Sequence, residues 1–207
     1  MTSEPNMYSS YTMVEQAEVL AKRWMPGLRQ NATVTDPRKA WEHPQDLVRL
    51  LAERPGEFSE AGQKMAIAIA WLHDVIEDGR TERGDRVMPD DFKPFLINHD
   101  NPVATPIGAA LDPRVLEGVL QLTHREGQPK TTYYESLKDI GYIPKLVKCV
   151  DRICNLREGV DWFSDARWAR YSQETRDFIL PLAPSLRDET AEWLTRLLNE
   201  ALDARGS

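Results

Sequence analysis

Four polar side chains stand close together at the end of the most apolar stretch of the chain, residues 66–72. They are His73, Asp74, Glu77 and Asp78, and on a helix the pairs 73/77 and 74/78 each share one face, one turn apart. A histidine followed directly by an aspartate can present a nitrogen and an oxygen to one metal ion. The acidic residues one turn further on can then handle a water molecule bound to that ion.

Two residues elsewhere complete a possible ligand set. His43 begins one predicted helix and Asp151 lies on another. Imidazole and carboxylate together suit Mn, Fe, Zn or Mg and leave positions open for water and substrate. A single histidine is commonly a surface or satisfied core residue, and Asp151 could simply pair with Arg152. The adjacent His73–Asp74 pair is stronger evidence, because burying such a pair without a partner is costly.

The elements that position these side chains are all predicted to be helices, because apolar residues recur at spacings of three and four. The central helix spans about 60–78, and Gly79 is its predicted stop. The other predicted helices cover 14–25, 41–51, 112–122, 131–140, 144–157, 165–180 and 185–204. No segment alternates as a strand does, and there is no internal repeat or glycine-rich phosphate loop. We therefore expect an all-α, globular fold.

Residues 79–111 interrupt this helical pattern. They contain four prolines and many charges, and only residues 91–97 suggest a short helix. A connection of this length is usually functional or partly disordered.

The whole chain limits the possible partners. Its length of 207 residues predicts a single domain. Its formal net charge of -7 disfavours general nucleic-acid binding. The N-terminus lacks the pattern of a secretory signal, and no apolar run reaches about 18 residues, so we expect neither secretion nor a membrane span. Cys149 and Cys154 are spaced to face different sides of one helix, which disfavours a disulfide and fits a cytoplasmic protein.

Three linked motifs resemble a known family. They are His43–Pro44, the segment 73–78 (HDVIED) and the segment 148–157 (KCVDRICNLR). Together they resemble the HD-domain metal-dependent phosphohydrolases, whose defining order is His, His-Asp, Asp. The Glu-Asp pair and the Asp-Arg-x-x-Asn-x-Arg pattern resemble, more narrowly, the hydrolase domain of RelA/SpoT-type proteins and the small alarmone hydrolases. The resemblance covers about residues 38–160.

The resemblance implies a fold, a metal and roles for particular residues. It implies one HD-type domain over 1–207, with a metal-binding core at about 38–160 and C-terminal helices at 165–204. It implies Mn²⁺ as the usual metal, and Glu77 and Asp78 as the residues that orient or deprotonate the attacking water. The implied metal ligands are His43, His73, Asp74 and Asp151.

The resemblance also implies a substrate site. Asn155, one turn after Asp151, would contact the nucleotide, and Lys148 would point toward the same pocket. Further candidates for the base or for phosphate are Arg38, Lys39, His124 and Arg125, with Lys130 nearby. Ala40 replaces the tyrosine that family members usually carry three residues before the first ligand histidine.

These observations predict an enzyme that hydrolyses a phosphate ester or pyrophosphate on a small nucleotide, with a (p)ppGpp-like alarmone as the best single substrate. Two alternatives remain at this stage. One is an HD-type nucleotidase or phosphatase that acts on mono- or deoxynucleotides. The other is a nucleotide-binding module without turnover. The sequence predicts no oligomeric state.

Overall fold

The computed structural model describes residues 11–29, 37–54 and 58–205, and confirms the predicted all-α fold. Contacts of strand type are limited, in these ranges, to three isolated bridges. No helix in the described chain is both long and apolar enough to cross a membrane. The α-helices are α1 (Met13–Trp24), α2 (Glu42–Ala52), α3 (Glu60–Leu72), α4 (Val75–Asp78), α5 (Pro113–Leu122), α6 (Lys130–Ser136), α7 (Tyr142–Trp162), α8 (Asp165–Glu174) and α9 (Asp188–Asp203).

Helix α3 lies at the centre and packs against α1, α2, α5 and α7. The hydroxyl of Ser59 accepts the Gly62 N–H and so caps its start. Most of the residues from Met65 to Leu72 are buried. Several of these side chains are alanines, and Gly118 of α5 faces Ile69, so that neighbouring helices can approach α3 closely.

The prediction of one continuous helix over 60–78 is wrong at residues 73 and 74. Helix α3 ends at Leu72, the chain turns at His73 and Asp74, and the short helix α4 follows. Asp74 has φ -95° and ψ -3°, which departs from helical geometry. The Asp78 N–H donates to the Asp74 carbonyl at 2.8 Å, so that Asp74 begins the hydrogen bonding of α4.

Helix α7 is the second element of the site and is longer than the predicted 144–157. It runs for 21 residues, and its middle, from Leu146 to Leu156, is largely buried. Near its end, the ring of Phe163 packs so closely on Gly159 that a Cβ there would lie 2.7 Å from it. Helix α9 packs along α7 and completes this side of the core.

The predicted helices 165–180 and 185–204 differ in detail from the observed elements. After α8 the chain forms a π-helical turn at Thr175–Ile179 and a 3-10 segment at Leu180–Ser185, before α9 begins. Pro181 and Pro184 fall in the 3-10 segment, and a proline cannot donate the hydrogen bond that would continue an α-helix.

Residues 79–111 are folded onto the body of the protein. Arg80 and Arg86 pair as an antiparallel bridge, and a 3-10 turn at Pro89–Phe95 replaces the predicted helix at 91–97. Phe92 is fully buried, with its ring 5.0 Å from that of Trp24 on α1. The segment is therefore anchored by an aromatic contact.

Candidate active site

Three helices bring together a buried cluster of possible metal ligands. His43 of α2, His73 at the end of α3 and Asp151 of α7 each offer one ligand atom, all within 4.8 Å of one another. Asp151 Oδ1 lies 3.0 Å from His43 Nε2 and 3.6 Å from His73 Nε2. Residues 108 positions apart in the sequence therefore meet in one site.

Asp74 lies at the edge of this cluster, with its carboxylate oxygen 3.1 Å from His73 Nε2. The Nδ1–H of His73 donates to the Ala70 carbonyl at 2.8 Å, which fixes the ring and points Nε2 into the cluster. Although Nε2 lies near two carboxylates, it makes no hydrogen bond of acceptable geometry within the described residues. A buried nitrogen without a hydrogen bond, aimed at carboxylate oxygens, fits a site for a metal ion.

The electrostatics of the cluster also favour a cation. Burial lowers the pKa of His43, which keeps this ring neutral as a ligand must be. Burial alone would lower the pKa of His73 too, but the charges of Asp74 and Asp151 raise it to about 10. The two carboxylates thus stabilise a proton on His73 at the place where a divalent ion would be held. Binding of the ion would release that proton.

A second set of side chains orients Asp151. Lys148 Nζ lies 3.0 Å from Asp151 Oδ2, and Asn155 Nδ2 donates to Asp151 Oδ1 at 2.5 Å. Arg29 in turn donates to Asn155 Oδ1 at 2.7 Å and pairs with Glu158 at 2.8 Å. One hydrogen-bonded chain therefore links Arg29, in the loop after α1, to the cluster through Asn155 of α7.

Helix α4 places Glu77 and Asp78 in different surroundings. The carboxylate of Glu77 accepts the His124 backbone N–H at 2.6 Å, and burial raises its pKa. Asp78 is exposed at the mouth of a cavity, where partial desolvation and the nearby Asp74 charge raise its pKa. Both shifts move the pKa of the carboxyl group toward neutral pH, where a side chain can accept and donate a proton during catalysis.

An open cavity of about 520 Å³ adjoins the cluster and has Asp74 and Asp78 in its wall. Three guanidinium groups and three aromatic rings also line it, a mixture that suits a ligand with both anionic and planar parts. These residues are Arg29, Arg80, Arg167, Trp24, Phe163 and Tyr171, with Asn155 between them and the cluster.

The remaining predicted substrate residues lie less directly at the cavity. Arg38 is held by Glu42, Asp46 and Glu158, and Lys39 is exposed. The His124 ring donates from Nε2 to the Gln128 carbonyl at 2.8 Å, so that its backbone, rather than its imidazole, contacts Glu77.

Arg125 is exposed on the loop that follows α5, and Lys130 pairs with Glu174 at 2.8 Å. Contacts of these five side chains with substrate stay predictions.

Several residues of the site were missed from the sequence. Arg29 and Arg80 belong to no helix pattern, and Arg167 and Tyr171 lie beyond the residues that resemble a family. Glu158 had a usable signal, because positions 151, 155 and 158 fall on one face of α7.

Fold and site together define a class of protein: an all-helical domain with a buried His/Asp cluster that could hold a divalent metal ion. No family model and no curated protein matches the chain. Among solved structures it is similar to a metazoan ortholog of SpoT that hydrolyzes ppGpp and plays a role in starvation responses. The TM-score is 0.65 and the identity 16%, with 99% of each chain covered. The chain therefore shares the fold of that hydrolase.

Proposed function

We propose that this protein is a metal-dependent phosphohydrolase of the HD superfamily that releases pyrophosphate from a (p)ppGpp-like alarmone. One observation carries the proposal: the buried cluster of His43, His73 and Asp151 adjoins a cavity lined by arginines. The full-length similarity in fold to a ppGpp-hydrolysing SpoT ortholog supports the choice of substrate. The chemistry of the ligands fits a divalent metal, and Mn²⁺ is our first candidate.

His43, His73, Asp74 and Asp151 would hold the ion. When bound, such an ion polarises a phosphoryl oxygen and makes water a better nucleophile near neutral pH. The protein has to supply the positioning of the substrate and the transfer of the proton.

Proton transfer falls to Glu77 and Asp78. Asp78 faces the cavity and has a raised pKa, so that its carboxylate can take a proton from the attacking water. Glu77 is fixed by the backbone of His124, with a pKa that is also raised. A carboxylate held in one orientation loses little freedom when it aligns the water.

Substrate binding falls to the charged wall of the cavity. Arg29, Arg80 and Arg167 can neutralise the phosphates, which the net charge of -7 would otherwise repel. Lys148 adds a buried positive charge beside Asp151. Of the three aromatic rings in the cavity wall, Tyr171 is the least buried and is the candidate contact for a nucleobase. Asn155 lies between the cavity and the cluster, where it can orient a sugar or phosphate oxygen.

A substrate panel tests this proposal. The purified protein, loaded separately with Mn²⁺, Mg²⁺ or Zn²⁺, is incubated with ppGpp, GDP, GMP and deoxynucleoside monophosphates, and the products are quantified. Pyrophosphate from ppGpp as the fastest reaction is the expected result. Orthophosphate from the monophosphates would make the protein a nucleotidase instead. Nucleotide binding without product in every metal would make it a binding module.

A further inference from the structure

Residues 80–86 form a small hairpin directly after helix α4, which carries Glu77 and Asp78. Arg80 and Arg86 pair across it, the Thr81 N–H donates to the Asp85 carbonyl at 2.8 Å, and Gly84 takes φ 85° at the tip. A positive φ of this size suits glycine, which lets the chain reverse within so few residues. The hairpin is thus a defined structure within a segment whose sequence predicts little order.

Arg86 connects this hairpin to two other segments. Its Nη2 donates to the Glu77 carbonyl of α4 at 3.3 Å, and its Nη1 lies 3.0 Å from the carboxylate of Glu126. Glu126 belongs to the loop at residues 123–128, which follows α5. One guanidinium therefore bridges α4 and the 123–128 loop.

The 123–128 loop also holds the side chain of Glu77. The His124 N–H donates to the Glu77 carboxylate at 2.6 Å. Glu77 is therefore fixed at two points: its carbonyl by Arg86, and its carboxylate by a loop that Arg86 also contacts. Helix α4 has only four residues, and so short a helix depends on contacts from outside itself.

We propose that Arg86 is a positioning residue that acts through Glu77 by clamping α4 to the 123–128 loop. This inference rests on the proposed function, in which Glu77 aligns the attacking water. The ion pair of Arg86 with Glu126 is exposed, and such pairs contribute little to stability. Loss of the clamp should therefore change the rate of the chemical step more than it changes folding.

A double-mutant cycle tests whether Arg86 acts through Glu77. We expect Arg86→Met to lower kcat about tenfold with little change in KM. A tenfold loss is part of the roughly 10²–10⁴-fold rate increase that a positioned acid–base group provides. In a Glu77→Gln background the same change should have almost no further effect. Arg86→Lys should recover part of the rate. Arg83→Met, at the exposed tip of the same hairpin, is the matched control and should retain the wild-type kcat.

A second measurement does not depend on catalysis. Hydrogen exchange of the protein without substrate should be faster in Arg86→Met than in the wild type at residues 123–128 and 75–79, and unchanged in Arg83→Met. Glu126→Gln, at a highly exposed position, should show the same increase in milder form if Arg86→Met folds poorly.

The two measurements separate the inference from the proposed function. A wild-type protein that hydrolyses no nucleotide would refute the function, while the exchange data would still test the clamp. Wild-type kcat in Arg86→Met, an equal loss in the Glu77→Gln background, or unchanged exchange at residues 123–128 would each overturn the positioning role of Arg86.

Discussion

At the scale of single residues, the site is held by fixed hydrogen bonds more than by helix geometry alone. His73 is oriented by the Ala70 carbonyl, and Asp151 by Lys148 and Asn155. Groups fixed in this way should bind an ion with little reorganisation, since outer partners of metal ligands set their orientation. Substitutions in the cluster should therefore act on metal content before they act on the fold.

Asp74→Ala should remove tight divalent-metal binding and all hydrolytic activity. The change deletes a carboxylate that lies 3.1 Å from the nitrogen of His73 and contributes negative charge to the cluster. Elemental analysis of the purified variant, after dialysis against trace metal, is the measurement. Asp90→Ala, at an exposed carboxylate that pairs with Lys93, is the control and should keep its metal. Unchanged metal content in Asp74→Ala would remove Asp74 from the ligand set.

Lys148→Met should weaken use of the substrate while the metal is retained. The ammonium is largely buried beside Asp151, so its charge acts at short range and is poorly screened by salt. We expect kcat/KM to fall by at least about tenfold, as when a charge-stabilising donor is removed from an active site. Steady-state kinetics at two ionic strengths measure the effect, with Lys138→Met as the control at an exposed position. A variant with the wild-type kcat/KM would assign Lys148 to structure alone.

At the scale of elements, helix α5 shows how one carboxylate begins a helix and makes it sensitive to acid. Asp112 accepts the Arg114 N–H at 2.9 Å, pairs with the Arg114 side chain at 2.7 Å and lies 3.3 Å from His99 Nε2. The side chain of Arg114 is the main cause that lowers the pKa of Asp112 to about 2. Because the pKa is lower in the folded protein, the charge stabilises the fold above about pH 4 and ceases to do so as the pH falls toward 2.

Two variants separate the charge of Asp112 from its role as a cap. Asp112→Asn keeps an acceptor for the helix N-terminus, so its deficit in unfolding free energy at pH 6 should shrink by pH 3. Asp112→Ala loses the cap as well, so its deficit should exceed that of Asp112→Asn by about 1 kcal/mol at both pH values. Urea unfolding at pH 6 and pH 3 measures both. A deficit for Asp112→Asn that is independent of pH would contradict the assigned charge effect.

The close packing of α5 on α3 makes a second prediction at this scale. A Cβ at Gly118 would lie 2.4 Å from Ile69 Cδ1, and Ile69 is almost completely buried. Gly118→Ala should therefore destabilise the protein by about 1–3 kcal/mol, because an added methyl overpacks the core. Gly27→Ala, where a Cβ meets nothing within 4 Å, is the control. Thermal unfolding that ranks Gly118→Ala at or above the wild type would show that Ile69 moves aside freely.

At the scale of the whole molecule, the parts predicted from sequence are those with local signals. The spacing of apolar residues located the helices, and the adjacent polar residues His73 and Asp74 marked the candidate site. The break between α3 and α4 was missed, because it depends on the backbone angles of Asp74, which the residue type does not predict. Arg29 was missed because its place at the site depends on a contact with Asn155, far away in the sequence.

The net charge of the protein differs from the charge of its cavity wall. A chain of net charge -7 can still attract a polyanion, because Arg29, Arg80 and Arg167 meet at one cavity while many acidic residues lie on other surfaces. At physiological salt, charges more than about 8–10 Å from a ligand are largely screened. The charges that line the cavity therefore decide whether it attracts an anion. The meeting of the three arginines beside the His/Asp cluster is a property of the fold, since they come from separate segments.

The central claim is that the cluster of His43, His73 and Asp151 holds a metal on which hydrolysis depends. The most direct measurement titrates Mn²⁺ into protein stripped by a chelator and follows bound metal and pyrophosphate released from ppGpp in the same samples. We predict no release from the stripped protein, and activity that rises in step with occupancy and saturates when the cluster is filled. Pyrophosphate release by the stripped protein, or a filled cluster that releases none, would contradict the account.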